Sequence, residues 1–285
     1  MPVIGPAKQT QPSYASGYAK SASESDHPNL WDGLLGAWMP GLGVTGGTLR
    51  DVSGNENHGT LTNMDPATDW VTTSKGLALD FDGSDDYAKT SANDRYKVSG
   101  GEITVLQWIK LDTYPSSGGY SFWDSLPLGG NGTRSNSFVT VIMASDRKLS
   151  LFSEGFFKTH AKQLNLNQWH LIGFRRKSTA TNQTDLIIDT DFSAITFGTS
   201  LLTGDNVWGR VSNASAYYFD GKMSSCFFWD RCLSDPEIKQ LYVDPLAPFR
   251  QRRSIPFGIT AAPSFNNWYA RPGRTNRIVG SGVHV

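Results

Sequence analysis

Apolar residues fall along this chain in short runs set between clusters of Asp, Asn, Ser and Gly. Thr104-Val105-Leu106-Gln107-Trp108-Ile109 and Leu171-Ile172-Gly173-Phe174 have the length and the β-branched and aromatic content of strands. Phe138-Val139-Thr140-Val141-Ile142-Met143 and Lys148-Leu149-Ser150-Leu151-Phe152 predict a hairpin that turns at Ala144-Ser145-Asp146-Arg147. The polar clusters supply turn chemistry, because short oxygen-bearing side chains bond the local backbone and glycine accepts positive φ. One helical signature stands out. Ser234-Asp235-Pro236-Glu237 is a capping box with proline at an early helical position, and Ile238, Leu241 and Tyr242 follow as an apolar face. A strand-rich body closed by a short helix is the expectation.

Outside that body the pattern fails. Residues 1–30 carry Pro, Ser, Ala, Gly, Gln and Lys without periodicity, and Pro245, Pro248, Pro256, Pro263 and Pro272 deny the other end both helix and central strand. The expected organisation is an extended arm over 1–30, one domain over 31–243 and a second arm over 244–285. Composition agrees with many short strands and tight turns: 29 glycines, 12% aromatic and only 18% charged residues in 285.

The formal net charge of zero conceals an asymmetry. From Leu246 onward the chain carries Arg250, Arg252, Arg253, Arg271, Arg274 and Arg277 and no Asp or Glu, so the rest of the chain is net negative. Guanidinium groups suit bidentate contacts with carboxylates, and these arginines are the candidate partner-binding residues. Cys226 and Cys232 stand too far apart along an extended chain for an unstrained bridge and are expected as free thiols. No leader-like or membrane-length apolar run is present, which points to synthesis in a cytoplasm.

Several segments in one order carry a resemblance: Leu35-Gly36-Ala37-Trp38, Asp51-Val52-Ser53-Gly54-Asn55-Glu56-Asn57-His58-Gly59-Thr60-Leu61, Leu79-Asp80-Phe81-Asp82-Gly83-Ser84-Asp85-Asp86-Tyr87, Gln168-Trp169-His170, Phe219-Asp220-Gly221-Lys222-Met223, and Asp230 to Tyr242. The chain resembles laminin-G-like, concanavalin-A-like jelly-roll proteins of the type encoded by tailed phages and prophages. The resemblance implies an all-β, two-sheet antiparallel sandwich. It also implies a virion structural protein, in particular a capsid decoration protein made in the bacterial host cytoplasm, with the major capsid protein, other virion proteins and copies of itself as partners. Arms that order only on neighbouring subunits fit such a role. Nucleic acid is not an expected partner.

The same fold hosts lectins and glycosidases, so function rests on the site. A glycosidase of this group needs acids alternating along one strand, and Glu24, Glu56, Glu102, Glu154 and Glu237 never fall in that spacing. Nor is there a Walker loop, a Gly-x-Ser-x-Gly or a His-Glu-x-x-His, and Gly41-Leu42-Gly43-Val44-Thr45-Gly46 lacks the βαβ frame of a nucleotide site. A non-enzyme without organic cofactor is expected. Two binding chemistries stay open. Asp51, Asn55 and Asn57 space oxygens so that one loop wraps a structural calcium or, alternatively, bonds its own backbone. Ser224 and Ser225 stand where the resembling proteins commonly place the closing Asp-Glu. Tyr114, Tyr120, Trp123, Asn131 and Arg134, in a long stretch from Asp112 to Asn136, offer aromatic faces and polar groups to a polysaccharide, the alternative to a virion role being a lectin-like adhesion module.

Overall fold

The computed structural model describes residues 17–43, 46–91, 101–116, 119–126, 139–143, 145–153, 156–178, 183–196, 205–210 and 218–252. The strands, in chain order, are β1 (Leu34–Trp38), β2 (Thr48–Leu49), β3 (Gly59–Thr62), β4 (Trp70–Thr73), β5 (Gly76–Asp82), β6 (Tyr87–Thr90), β7 (Ile103–Leu111), β8 (Gly119–Leu126), β9 (Val139–Met143), β10 (Lys148–Ser153), β11 (Phe156–Gln163), β12 (Trp169–Ser178), β13 (Gln183–Ile188), β14 (Asp191–Thr196), β15 (Asp205–Trp208) and β16 (Asp220–Trp229), followed by helix α1 (Asp235–Val243). They form two antiparallel eight-stranded sheets. The first runs β14-β13-β12-β7-β16-β5-β4 with β1 also on β16, and the second β11-β10-β9-β8-β15-β6-β3-β2. The sequence expectation of a two-sheet jelly roll closed by a helix holds.

Sequence explains which faces are buried. Residues Ile103 to Ile109 of β7 are all buried, as befits a central strand covered on both sides. Its alternate side chains Val105 and Ile109 face the second sheet, where Trp38, Phe81, Phe174, Met223, Phe228 and Trp208 complete the inner core. Leu106 and Trp108 point the other way, into a second cluster with Leu171, Ile187, Phe227 and Trp229, roofed by Ile238 and Leu241 of α1. Two close backbone approaches demand glycine in the first sheet. A Cβ at Gly173 would stand 1.9 Å from the Val105 carbonyl oxygen, and one at Gly221 would stand 2.2 Å from that of Lys110.

The expected hairpin of β9 and β10 pairs Ile142 with Leu149, and Arg147 takes the positive-φ position of its turn. Both thiols are free; Cys226 is buried in the core, and burial pushes its pKa up to about 12. Among the described residues no helix is long and apolar enough to cross a membrane.

Parts of both expected arms lie on the body. The Ala19 N–H donates to the Phe249 carbonyl at 2.8 Å, the Asp26 N–H to Arg250 at 2.9 Å and the Arg252 N–H to Glu24 at 2.7 Å, so residues 17–26 and 249–252 form a short ladder. The physical reason is a few well-spaced rings: Phe249 meets Tyr18 and Trp31 edge-on at 6.3 and 5.5 Å beside the outer cluster. A 3-10 turn over Pro28–Leu30 buries Leu30 in the same place. Residues 1–16 and 253–285 lie outside the described residues.

Candidate functional site

The loop residues offered either for a structural calcium or for bonding their own backbone make the backbone bonds. Asp51 Oδ1 accepts the Ala37 and Ser53 N–H groups at 2.9 Å each, and Oδ2 accepts that of Asn57 at 3.0 Å. Asn55 donates its amide to the Leu34 and Leu35 carbonyls at 3.2 and 3.0 Å. The loop thus fastens β1, with three of the roughly four lone-pair sites of one carboxylate on N–H donors. A denser oxygen cluster lies in the turn between β5 and β6. Carboxylate oxygens of Asp82, Asp85 and Asp86 fall within 4.8 Å of one another, and they too accept turn N–H groups, Ser84 on Asp82 at 2.8 Å and Asp82 on Asp86 at 3.0 Å.

The stretch from Asp112 to Asn136 is not one loop, since β8 occupies Gly119–Leu126 within it. Mixed polar and aromatic composition hid a strand whose pairing with β9 and β15 sets its conformation. Tyr120 and Trp123 belong to β8. Tyr114 spends its hydroxyl on the Leu164 carbonyl at 2.7 Å and its ring under the Arg147 guanidinium at 4.6 Å. Asn131 and Arg134 lie outside the described residues. Of the arginines, Arg250 is already held by Asp244 at 2.9 Å, Arg252 is exposed, and Arg253, Arg271, Arg274 and Arg277 lie outside the described residues.

A constellation that sequence reasoning did not assemble sits on the outer face of the first sheet, beside the end of α1. Its base is Trp108, which stacks on Tyr242 of α1 at 5.5 Å with an interplanar angle of 22°. Lys75 comes from the two-residue turn between β4 and β5, set by positive φ at Gly76 and by Thr73 Oγ1, which accepts the Lys75 N–H at 3.1 Å and donates to the Gly76 carbonyl at 2.8 Å. Ser224 Oγ then donates to the Lys75 carbonyl at 3.2 Å, and the Lys75 side chain crosses β16 to place Nζ 3.6 Å from the Trp108 ring centroid. Beneath that crossing a β-bulge puts Ser225 opposite Trp108.

Trp169 completes the face. It lies diagonally across the β7–β12 pair from Trp108, on the same side, and packs against the same cluster. At the edge, Asp189 takes the Leu171 N–H at 3.0 Å and His170 Nδ1 at 2.9 Å. His170 Nε2 accepts the Asn165 N–H, which leaves the ring proton on Nδ1 for Asp189. Burial lowers the Lys75 pKa from its ordinary value while the Asp189 charge acts against that shift. Farther along the face Lys222 bridges Asp80 at 2.9 Å and Asp112 at 2.6 Å, and Lys110 reaches Asp112 at 3.8 Å, so two ammonium groups balance the two acids.

Among the described residues Tyr242 Oη, Trp169 Nε1 and Lys75 Nζ have no hydrogen-bond or ion-pair partner. Aromatic surface, a hydroxyl, an indole N–H and an ammonium thus remain available side by side. Such a face can stack a ring, donate to hydroxyl or carboxylate oxygens and attract an anion.

Comparison with known proteins follows the same fold. The family model described as the concanavalin A-like lectin/glucanases superfamily, of laminin-G type, matches residues 82–239. No curated protein matches the chain. Among solved structures, the chain is similar to Trypanosoma rangeli sialidase in complex with sialic acid, at 15% identity and a TM-score of 0.56, over 75% of this chain and 33% of that one. It is also similar to domain 4 of AbnA, a GH43 extracellular arabinanase from Geobacillus stearothermophilus, in complex with arabinotriose, at 14% identity and 0.57, over 73% and 98%. A third is the receptor binding domain of botulinum neurotoxin C/D mosaic serotype, at 14% and 0.55, over 75% and 51%. The chain spans about a third of the length of the sialidases it matches. With more than half its residues under the family model and two antiparallel sheets to match, the chain belongs to the concanavalin A-like lectin/glucanases superfamily.

Proposed function

We propose that this chain is a non-catalytic binding module that holds a saccharide on the outer face of its first sheet. The observation that carries the reading is the part-exposed pair Trp169 and Tyr242 around the Lys75 ammonium, all three polar groups being without a partner among the described residues. A sugar offers C–H faces to the rings and oxygens to the donors. Two of the similar folds are described with a sugar bound, and one of these, AbnA domain 4, is spanned almost entirely by the match. The carboxylates bordering the face are committed elsewhere, Asp189 to His170 and Asp80 with Asp112 to Lys222, which favours binding over hydrolysis.

Calorimetric titration of the full chain with neutral and acidic oligosaccharides tests this. Trp169→Ala and Tyr242→Ala should each weaken binding about tenfold or more while no new reducing ends appear. Absence of binding across the panel, or binding indifferent to both substitutions, rejects the site.

A second reading, a virion structural protein that decorates a capsid, draws on a separate observation: the ladder of residues 17–26 with 249–252 brings the two ends of the described body together. Its partners would be capsid subunits or further copies of the chain, reached from a protein made in the host cytoplasm. Particle incorporation by chains truncated before residue 17 or after residue 252 tests it. Full occupancy by both truncations would remove the arms from the mechanism.

A further inference from the structure

The geometry points to an anionic saccharide as the ligand of this face, its carboxylate or sulfate group meeting the Lys75 ammonium. The inference rests on the saccharide reading above. Among the described residues Lys75 differs from the other cations on the outer face of the first sheet. Lys110 and Lys222 have Asp112, Lys177 and Arg175 have Asp185, and Arg175 also reaches Asp235. Among the described residues Lys75 has an indole face and no carboxylate in contact, with Asp189 acting through its field. A half-buried ammonium on a ring is attracted by the ring quadrupole but gains no charge-assisted hydrogen bond there, and an anion at Nζ supplies one.

A second observation concerns the floor. Trp108 Nε1 and Ser225 Oγ have no hydrogen-bond partner among the described residues, although Trp108 is 1% and Ser225 0% exposed. They lie on neighbouring strands under the Lys75 side chain. Orphaned donors of this kind are costly and are normally matched by an acceptor. When Lys75 swings outward onto a ligand, the space above these two donors opens to water or to ligand oxygens. An anion therefore satisfies the ammonium, and the movement it causes gives the floor access to acceptors. A neutral sugar supplies stacking and hydroxyl oxygens but no charge to meet the ammonium.

The experiment compares a tetragalacturonate, a sulfated galactan tetrasaccharide and a neutral galactan tetrasaccharide on the full chain, with free acetate and sulfate as controls. We expect at least one acidic tetrasaccharide to bind about tenfold tighter than the neutral one, and the preferred one identifies carboxylate or sulfate as the partner. Lys75→Gln should remove that preference, Lys75→Arg should retain most of it, and added salt should erode it in the native protein. Equal affinity for the three sugars, or a preference unchanged in Lys75→Gln, overturns the inference. If Trp169→Ala and Tyr242→Ala still weaken neutral binding in that case, the saccharide reading survives; if no tetrasaccharide binds, both fall. Binding of free sulfate or acetate as tight as the acidic sugars would mark an anion site without saccharide recognition and also overturns it.

Discussion

Asp86 holds a carboxyl group where water barely reaches it, and burial raises its pKa to about 6. The Asp82 N–H bond opposes that shift, while the charges of Asp82, Asp69 and Asp85 add to it. The folded pKa lies above the ordinary carboxyl value, so stability from this group is complete below about pH 4 and is lost as pH rises through 6. Asp86→Asn keeps an oxygen for the Asp82 N–H and has no charge to bury. It should be more stable than the native chain by about 1–3 kcal/mol at pH 8, with the difference gone below pH 4, in urea titrations across pH. A native chain that is the more stable at pH 8 would mean that a cation neutralises the trio. At this scale legibility followed sequence distance. Asp51, Asn55 and Asn57 could be read as a loop because their partners lie close in sequence or on adjoining β1. Lys75, Trp108, Trp169, Ser225 and Tyr242 are brought together only by the sheet order, which no local pattern encodes.

Helix α1 was legible at its start and along its buried face, since capping box and apolar face are local chemistry. Glu237 accepts the Ser234 N–H at 2.9 Å and its hydroxyl at 2.8 Å, and Arg231 and Asn29 add further donors. Burial alone would push this carboxyl up, but the donors outweigh it and hold the pKa at about 2. A depressed carboxyl stabilises the fold above its unfolded pKa and loses that contribution as pH falls towards 2. Glu237→Gln should therefore cost about 1–2 kcal/mol at pH 7 and progressively less below pH 4.5, read as a Tm difference that closes on acidification. Strand β8 shows the opposite case. Gly119 to Leu126 has no clean alternation, and hydrogen bonds to β9 and β15 decide its state, an override of local preference by the sheet.

For the molecule as a whole, the jelly roll was readable because both faces of its central strands are apolar, whereas the docking of the flanks depends on single rings such as Tyr18, Trp31 and Phe249. Those rings make one clamp. Phe249→Ala should cost about 3–5 kcal/mol in unfolding and speed tryptic cleavage after the exposed Lys20, because Phe249 seats Tyr18 and Trp31 while its carbonyl holds the Ala19 N–H. Unchanged cleavage would show that the ladder holds without the ring.

That ladder also makes the body a cassette. Ser25 and Gln251 are bridge partners, so the chain enters and leaves the sandwich side by side, with roughly 5 Å between backbones. A gap of that size is no wider than the mouth of a β-hairpin. Residues 17–252, which keep Tyr18 and Ala19 on Phe249, can therefore be spliced into a surface turn of an unrelated carrier without prising its strands apart, and the carrier would display the Lys75 face at a single, short-tethered point.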